Sequence, residues 1–314
     1  LFNKIKIQAD YFTEKRDGIF LRRKAIPYYV GLSSQPWVNV GKMKNKGIDA
    51  SIEYHQKVGQ VKITARGNFT YARNVILDQD QPDWKYPHQN RVGQARYQNF
   101  GYVAAGLFKD QADVEAWPDQ SAIGGSQPGD IKYLDLNGDG IIDGYDQKAI
   151  GYTDIPEIVY GFGTSLEWKN FDFSMFFQGN ANVEFSMRSN MTQPFITANM
   201  NESNVFADIY NNYWTPERQN AKYPRLSMST GSNDVTSSYW LVDGSYLRLK
   251  NIEFGYTLPK NVTKRLRIND LRFYLSGVNI LTFSKFKLWD PDLQTGAAQY
   301  PLNKIYSLGL ALSF

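Results

Sequence analysis

The sequence predicts an all-β protein, in which about nine antiparallel strands form part of a transmembrane β-barrel with long extracellular loops. Three observations carry that expectation. Apolar and polar residues alternate with period two over segments of about 10 to 15 residues, longer than the roughly five or six of an average strand. Aromatic residues reach 15 %, with 21 Tyr, 19 Phe and 7 Trp, on a chain whose mean hydropathy is only −0.47. Such a chain is greasy on one face. Short connections then alternate with very long ones, which is the plan of a barrel with tight turns on one side of a membrane and long loops on the other.

The strands are read in order as residues 1–13, 18–24, 42–56, 60–74, 158–168, 171–180, 245–258, 270–281 and 303–314. The first carries Ile5, Ile7, Ala9 and Tyr11 on one face. Glu14 to Gly18 reads as a short turn to the second. In the third, Ile48, Ala50, Ile52 and Tyr54 alternate with Asp49, Ser51, Glu53 and His55. The fourth sets Val61, Ile63, Phe69 and Tyr71 against Lys62, Thr64, Arg66 and Asn68. Tyr160, Phe162 and Leu166, then Phe171, Phe173 and Phe177, continue the pattern in the next two. Between Leu249 and Ile252 the apolar phase slips, so a β-bulge is expected near Lys250 and Asn251. Leu271, Phe273 and Leu275 form the apolar row of the eighth strand. The last strand ends with Leu308, Leu310, Leu312 and a terminal Phe314 on its apolar face.

A tilted strand needs about 9 to 11 residues to cross a bilayer. The charged residues repeated on the opposite faces suit a wet lumen. Residues of about 75–157 and 181–244 form the two largest loops, far longer than the connections of a globular domain. An odd number of strands that starts in mid-pattern, on LFNKIKIQADYF, predicts that residues 1–314 are the C-terminal tail of a larger barrel.

The composition excludes several classes. With 35 Lys and Arg against 31 Asp and Glu, evenly spread, no nucleic-acid partner is expected. The absence of Cys removes disulfides, thiolate catalysis and Cys-ligated zinc. No window of 18 apolar residues offers a transmembrane helix. No catalytic residue is assigned and no enzyme is expected. His55 and His88 have no partner at a recognisable spacing, Gly161-Phe-Gly163 lies on a strand without a following helix, and Asp290 and Asp292 sit in a Pro-containing turn.

One local motif has metal chemistry. DLNGDGIIDGYD, residues 135–146, places oxygen donors at positions 1, 3, 5, 7, 9 and 12 of a twelve-residue loop with Gly at position 6, the spacing that suits calcium. The candidate ligands are Asp135, Asn137, Asp139, the Ile141 carbonyl, Asp143 and Asp146. The competing reading is an Asx-rich turn in which the same side chains bond their own backbone. No amphipathic helices bracket the loop and no second loop accompanies it, so any calcium is expected to be structural and to stiffen an outer loop. Trp84 and Trp117 flank it in the largest connection and are the candidates for contact with substrate or with a lid.

Several segments together resemble the C-terminal part of SusC-like TonB-dependent outer-membrane transporters of Bacteroidetes. They are GDIKYLDLNGDGIIDGYDQKAIG (129–151), PEIVYGFGTSLEWKNFDFSMFFQG (156–179), YWTPERQNAKYPRL (213–226), SYLRLKNIEFGYTLP (245–259), GVNILTFSKFKLWDPD (277–292) and YPLNKIYSLGLALSF (300–314), with VGKMKNKGIDASIEY (40–54) near the start. The resemblance implies a large barrel of roughly 22 strands in the outer membrane, with a plug domain that this chain lacks. It further implies a SusD-like surface lipoprotein as partner, energy from the TonB complex, and oligosaccharide or peptide as substrate. Two alternatives from other classes stand beside it. One is a soluble calcium-stabilised carbohydrate-binding β-protein. The other is a calcium-dependent glycan-degrading enzyme, which would need a carboxylate pair at catalytic separation.

Overall fold

The computed structural model describes residues 4–189, 192, 193, 195, 205–228, 231–265, 267–295 and 299–314, so residues 1–3 of the first expected strand lie outside the described residues. In chain order the elements are β1 (Ile5–Arg22), β2 (Trp37–Val58), β3 (Val61–Asp78), β4 (Phe100–Gly101), β5 (Ala104–Leu107), α1 (Gln111–Glu115), β6 (Ile131–Tyr133), β7 (Lys148–Ala149), β8 (Ile158–Trp168), β9 (Phe171–Ala181), β10 (Glu184–Ser186), α2 (Ala207–Asn212), β11 (Leu241–Asp243), β12 (Tyr246–Thr257), α3 (Lys260–Arg265), β13 (Asp270–Ser284) and β14 (Ile305–Ser313). Three short 3₁₀ turns matter below, at Pro87–Gln89, Gly144–Asp146 and Pro291–Leu293. No helix among the described residues is long and apolar enough to cross a membrane.

Eight long strands form one antiparallel sheet in the order β1-β2-β3-β8-β9-β12-β13-β14. The expectation of nine strands is corrected to eight. Residues 1–13 and 18–24 are not two strands with a turn between them. Within them, Ile5–Arg22 is one strand, β1, which pairs with β2 from Ile5↔Tyr54 to Arg22↔Trp37. The Asp17-Gly18 pair that reads as a turn is a bulge: the register shifts between Arg16 and Ile19, and Gly18 takes φ +69 there. A turn and a bulge ask for the same residues, and only a partner strand separates them. The bulge expected in the twelfth strand is present, with a register shift between Leu249 and Asn251 against both neighbours.

Register makes the alternation of each strand a property of the whole sheet, because residues directly opposite each other share a face. The chain of pairs Ile7↔Ile52↔Gly67↔Phe162↔Phe177↔Leu249↔Leu281 runs across seven strands, and Tyr256↔Phe273↔Leu310 continues the same face to β14. Ile7, Ile52, Phe162, Leu281 and Leu310 on it are exposed. In a water-soluble protein a patch of this size would be hidden. The opposite face is polar. There Arg272 of β13 bonds both Asp172 of β9 and Glu253 of β12, and the Arg66 guanidinium lies 5.4 Å from the Phe176 ring centroid.

Tight connections at 59–60 and 169–170, and the α3 connection at 258–269, lie at one end of the sheet. At the other end lie 23–36, 79–157, 182–245 and 285–304. The C-terminal Phe314 is at the tight-turn end, since Asp270 pairs with Ser313. Aromatic rings cluster at that end as well: Phe171 stacks on Trp168 and packs against Tyr256, with centroids 6.0 Å and 4.7 Å apart.

The long loops fold on one another. β4–β7, β5–β6 and β10–β11 are two-stranded sheets, and the loops share a core that includes Tyr102, Ile131, Tyr133, Ile142, Phe185 and Trp240. Its bonds span long stretches of chain. The Tyr133 hydroxyl donates to the Ser232 carbonyl at 2.9 Å, and Arg225 and Asn233 both donate to Asp130, at 2.7 and 2.8 Å.

Candidate functional site

The loop 135–146 sits within this loop core, and its polar side chains are turned onto its own backbone. Asp135 accepts from Gly138 N–H at 2.6 Å and from Gly140 N–H at 2.7 Å. Burial raises the Asp135 carboxyl, but the N–H groups of Gly140, Gly138, Asp139 and Asn137 outweigh it and hold the group below its ordinary value. Asn137 accepts from Asp139 N–H, Asp139 from Ile141 N–H, and Asp143 from Tyr145 N–H. Asp146 is fully buried and closes the loop, accepting from Leu136 and Asn137 N–H with one oxygen and from Asp143 N–H with the other. This is the hydrogen-bond pattern of an Asx-rich turn. Among the described residues no group of three or more His, Asp or Glu side chains is close enough together to hold a metal ion.

The neighbouring segment clamps the loop from outside. The His88 Nε2 atom lies 2.6 Å from the Tyr145 carbonyl oxygen, so it carries the proton there, and Gln89 donates to the Gly144 carbonyl at 3.2 Å. The Lys85 ammonium lies 4.9 Å and 4.8 Å from the ring centroids of Tyr86 and Tyr145. His88, which has no sequence partner, thus acts as a strut.

The two candidate contact residues separate. The Trp117 indole N–H donates to the Tyr133 carbonyl at 2.7 Å, and the Lys132 ammonium covers its ring at 4.8 Å. Trp117 is therefore committed to loop packing. Trp84 is exposed. Other loop tryptophans are also spoken for: Trp240 is fully buried and donates to the Asn233 carbonyl, and Trp289 donates to the Gln294 carbonyl.

A cleft of about 550 Å³ opens beside this core. Met187, Val242 and Phe286 line it with apolar surface, and two ion pairs edge it: Lys222 with Asp208 at 2.8 Å and Lys285 with Asp243 at 3.1 Å. Hydrogen bonds from Lys222 and Tyr223 hold the Asp208 carboxyl below its ordinary value. Apolar floor and charged rim together suit an amphipathic ligand. Sequence spacing does not show this cleft, since its walls come from residues some 20 to 100 apart.

A second feature unseen in sequence ties a loop to the sheet. Arg248 of β12, buried on the polar face, donates to Asp290 at 2.6 Å, to Asp292 at 2.7 Å and to the Thr282 hydroxyl at 3.0 Å. The carboxylates of WDPD, which could suggest a catalytic pair, are thus engaged by one guanidinium. The signal in sequence was an Arg among the alternating residues of a strand, too common to single out.

Known proteins resemble this chain along its whole length. No family model matches it. It is 29 % identical over 340 residues to TonB-dependent receptor P3 of Formosa agariphila, covering 99 % of this chain and 32 % of the relative. It is 26 % identical to TonB-dependent receptor SusC of Bacteroides thetaiotaomicron, covering 97 % of this chain and 30 % of that protein. The chain spans about a third of the length of these curated relatives. Among solved structures, the RagAB peptide transporter matches with a TM-score of 0.72 at 23 % identity, over 99 % of this chain and 34 % of that one. The RagAB peptide importer in its open-open state matches with a TM-score of 0.73 at 22 % identity, over 99 % and 33 %. At that identity the structures speak for the fold.

Proposed function

Because this chain is homologous to the SusC-like TonB-dependent receptors, proteins of the bacterial outer membrane, we propose that it serves as the C-terminal part of an active nutrient importer. In this reading it works with a SusD-like surface lipoprotein and draws energy from TonB through a region outside these residues. The observation that carries the reading is the apolar face of the eight-stranded sheet, exposed at Ile7, Ile52, Phe162, Leu281 and Leu310, with ion-paired residues on the reverse. Lipid explains the first face and a wet lumen the second. Oligosaccharide is the cargo we favour, and the exposed Trp84 and the cleft edged by Asp208 and Lys222 are where the loops offer contact to it. Peptide is the second cargo, favoured by the charged rim of the same cleft.

The experiment is uptake by cells that carry or lack the full-length gene, with labelled oligosaccharides and labelled peptides supplied separately. Loss of oligosaccharide uptake on deletion is expected. Uptake that is unchanged for both cargoes would overturn the importer reading.

Calcium in the loop 135–146 belongs to the same proposal. The support is Asp146, a fully buried carboxylate that accepts hydrogen bonds from three neutral backbone N–H groups. A buried charge without a counter-ion is costly. A cation held by Asp135, Asn137, Asp139, the Ile141 carbonyl, Asp143 and Asp146 would neutralise it, provided that these side chains, which now bond the loop backbone and do not converge, turn inward to meet it. Calcium should then raise the protease resistance of this loop, and identical digestion in chelator and in calcium would sink the idea.

A further inference from the structure

The lipid-facing side of β1–β3 does not stay apolar to its end. On β2 the outward residues from Ile48 to Val58, and on β3 those from Val61 to Tyr71, span the roughly 9 to 11 residues that a tilted strand needs to cross the bilayer. The register row Tyr11↔Ile48↔Tyr71 puts two tyrosines at the long-loop limit of that band, where aromatic girdles sit. The strands continue past it. The next outward positions are Thr13↔Lys46↔Arg73, then Lys15↔Lys44↔Val75, and then Lys42. From Met43 to Tyr54 the pairing of β2 with β1 runs without a shift, so Lys44 and Lys46 share the face of Ile48 and Ile52. Lys42 follows at the next alternating position of β2, where the register with both neighbouring strands shifts.

These cations form a compact patch. Lys15, Lys42, Lys44, Lys46 and Arg73 are all exposed. Asp17 pairs with Lys15 at 3.4 Å and Glu157 with Arg73 at 3.4 Å. Asp78 stands opposite Lys42 on β3, where its carboxylate accepts from Asp80 N–H. The ammonium groups of Lys42, Lys44 and Lys46, at successive alternating positions directly above an aromatic limit, form no ion pair among the described residues.

We propose that Lys42, Lys44 and Lys46, flanked by Lys15 and Arg73, bind the phosphate groups of outer-leaflet lipid headgroups at the rim of the barrel. Charge complementarity and continuity with the lipid-facing band identify the occupant. A row of lysines at successive outward positions of a strand is spaced by about 7 Å, wide enough for separate phosphates. The binding holds the β1–β3 hairpins at a set height in the membrane, independently of which cargo passes through the lumen.

The test uses the full-length transporter, extracted in mild detergent, as wild type, K42Q/K44Q/K46Q and K42R/K44R/K46R. Native mass spectrometry counts phosphorylated glycolipid retained per barrel. Titration then compares that glycolipid, its dephosphorylated form and inorganic phosphate. The wild type and the Arg variant should retain the lipid, and the Gln variant should retain about tenfold less or lower still. Dephosphorylated lipid should bind the wild type as weakly as intact lipid binds the Gln variant. Equal retention by the Gln variant, or equal binding of the dephosphorylated lipid, overturns the proposal. Inorganic phosphate that binds as tightly as the lipid assigns the patch to a soluble anion and overturns it too. Should the Gln variant fail to show the heat-modifiable gel mobility of a folded barrel, the salt dependence of wild-type retention decides. A steep fall with salt supports the assignment, and a flat response sinks it.

Discussion

The sheet and the loops of this protein are built on opposite rules. In the eight-stranded sheet the large apolar residues point outward and stay exposed, as with Phe254 and Leu275, and the charged residues point to the other side and pair there, as with Arg272. In the loops the apolar residues point inward, as with Trp240 and Tyr133, and the charges lie around them. The same chain is thus inside-out in one part and conventional in the other, with Trp240 and Phe254 only 14 residues apart. The difference is one of solvent. Lipid meets the sheet and makes an exposed Phe favourable, whereas water meets the loops and makes the same residue costly. The long loops must therefore carry their own core, which is why they are long.

Substitutions can break this contrast from either side. The largest effect is expected in the loop core. Trp240→Ala should destabilise the loop assembly by about 3–5 kcal/mol, because a fully buried ring and its bond to the Asn233 carbonyl are lost together. Protease cleavage within 182–245 should rise while the barrel keeps its heat-modifiable gel mobility. Joint loss of both would mean that the two regions are not separate units.

The sheet should answer next. Phe162→Arg places a charge in mid-band on the apolar face and should cost about 2–4 kcal/mol of folding stability in lipid vesicles, with Ser165→Arg on the polar face near zero. Equal costs for the two would remove the assignment of faces.

Asp146→Asn comes third, at about 1–3 kcal/mol. The amide keeps the shape of the carboxylate but sets an N–H₂ group against one of the N–H donors that Asp146 now receives. Proteolysis between 135 and 146 reads it.

The smallest effect is acid. Asp135 has a folded-state pKa below its ordinary 3.8, so its contribution to stability is present above 3.8 and is lost as pH falls through the lower, folded value. Amide exchange of Gly138 and Gly140 should be constant, after correction for intrinsic rates, from neutral pH down to about 4, and should accelerate below that. Exchange that stays constant below about pH 4 as well would overturn this role for Asp135.

What the sequence by itself determined is what repeats at short range. A strand's two faces are set by residues one apart, so the apolar rows, the phase slip at Lys250-Asn251, the division into short and long connections and the oxygen donors of 135–146 are all legible in line. So is the resemblance carried by the seven quoted segments. What only the tertiary structure decided is what depends on a partner far away in the chain. Asp17-Gly18 is a bulge because β2 stays paired across it. Trp117 is packed because Tyr133 receives its N–H, and Asp290 and Asp292 are held because Arg248 reaches them from another strand. The alternating lysines of KMKNK are legible in line, but their place next to the row of Tyr11, Ile48 and Tyr71 is known only from the register. Period-two patterning comes from local backbone geometry, which a sequence displays. Contacts between residues some 15 to 100 positions apart depend on how the whole chain closes, and neighbouring letters do not carry that information.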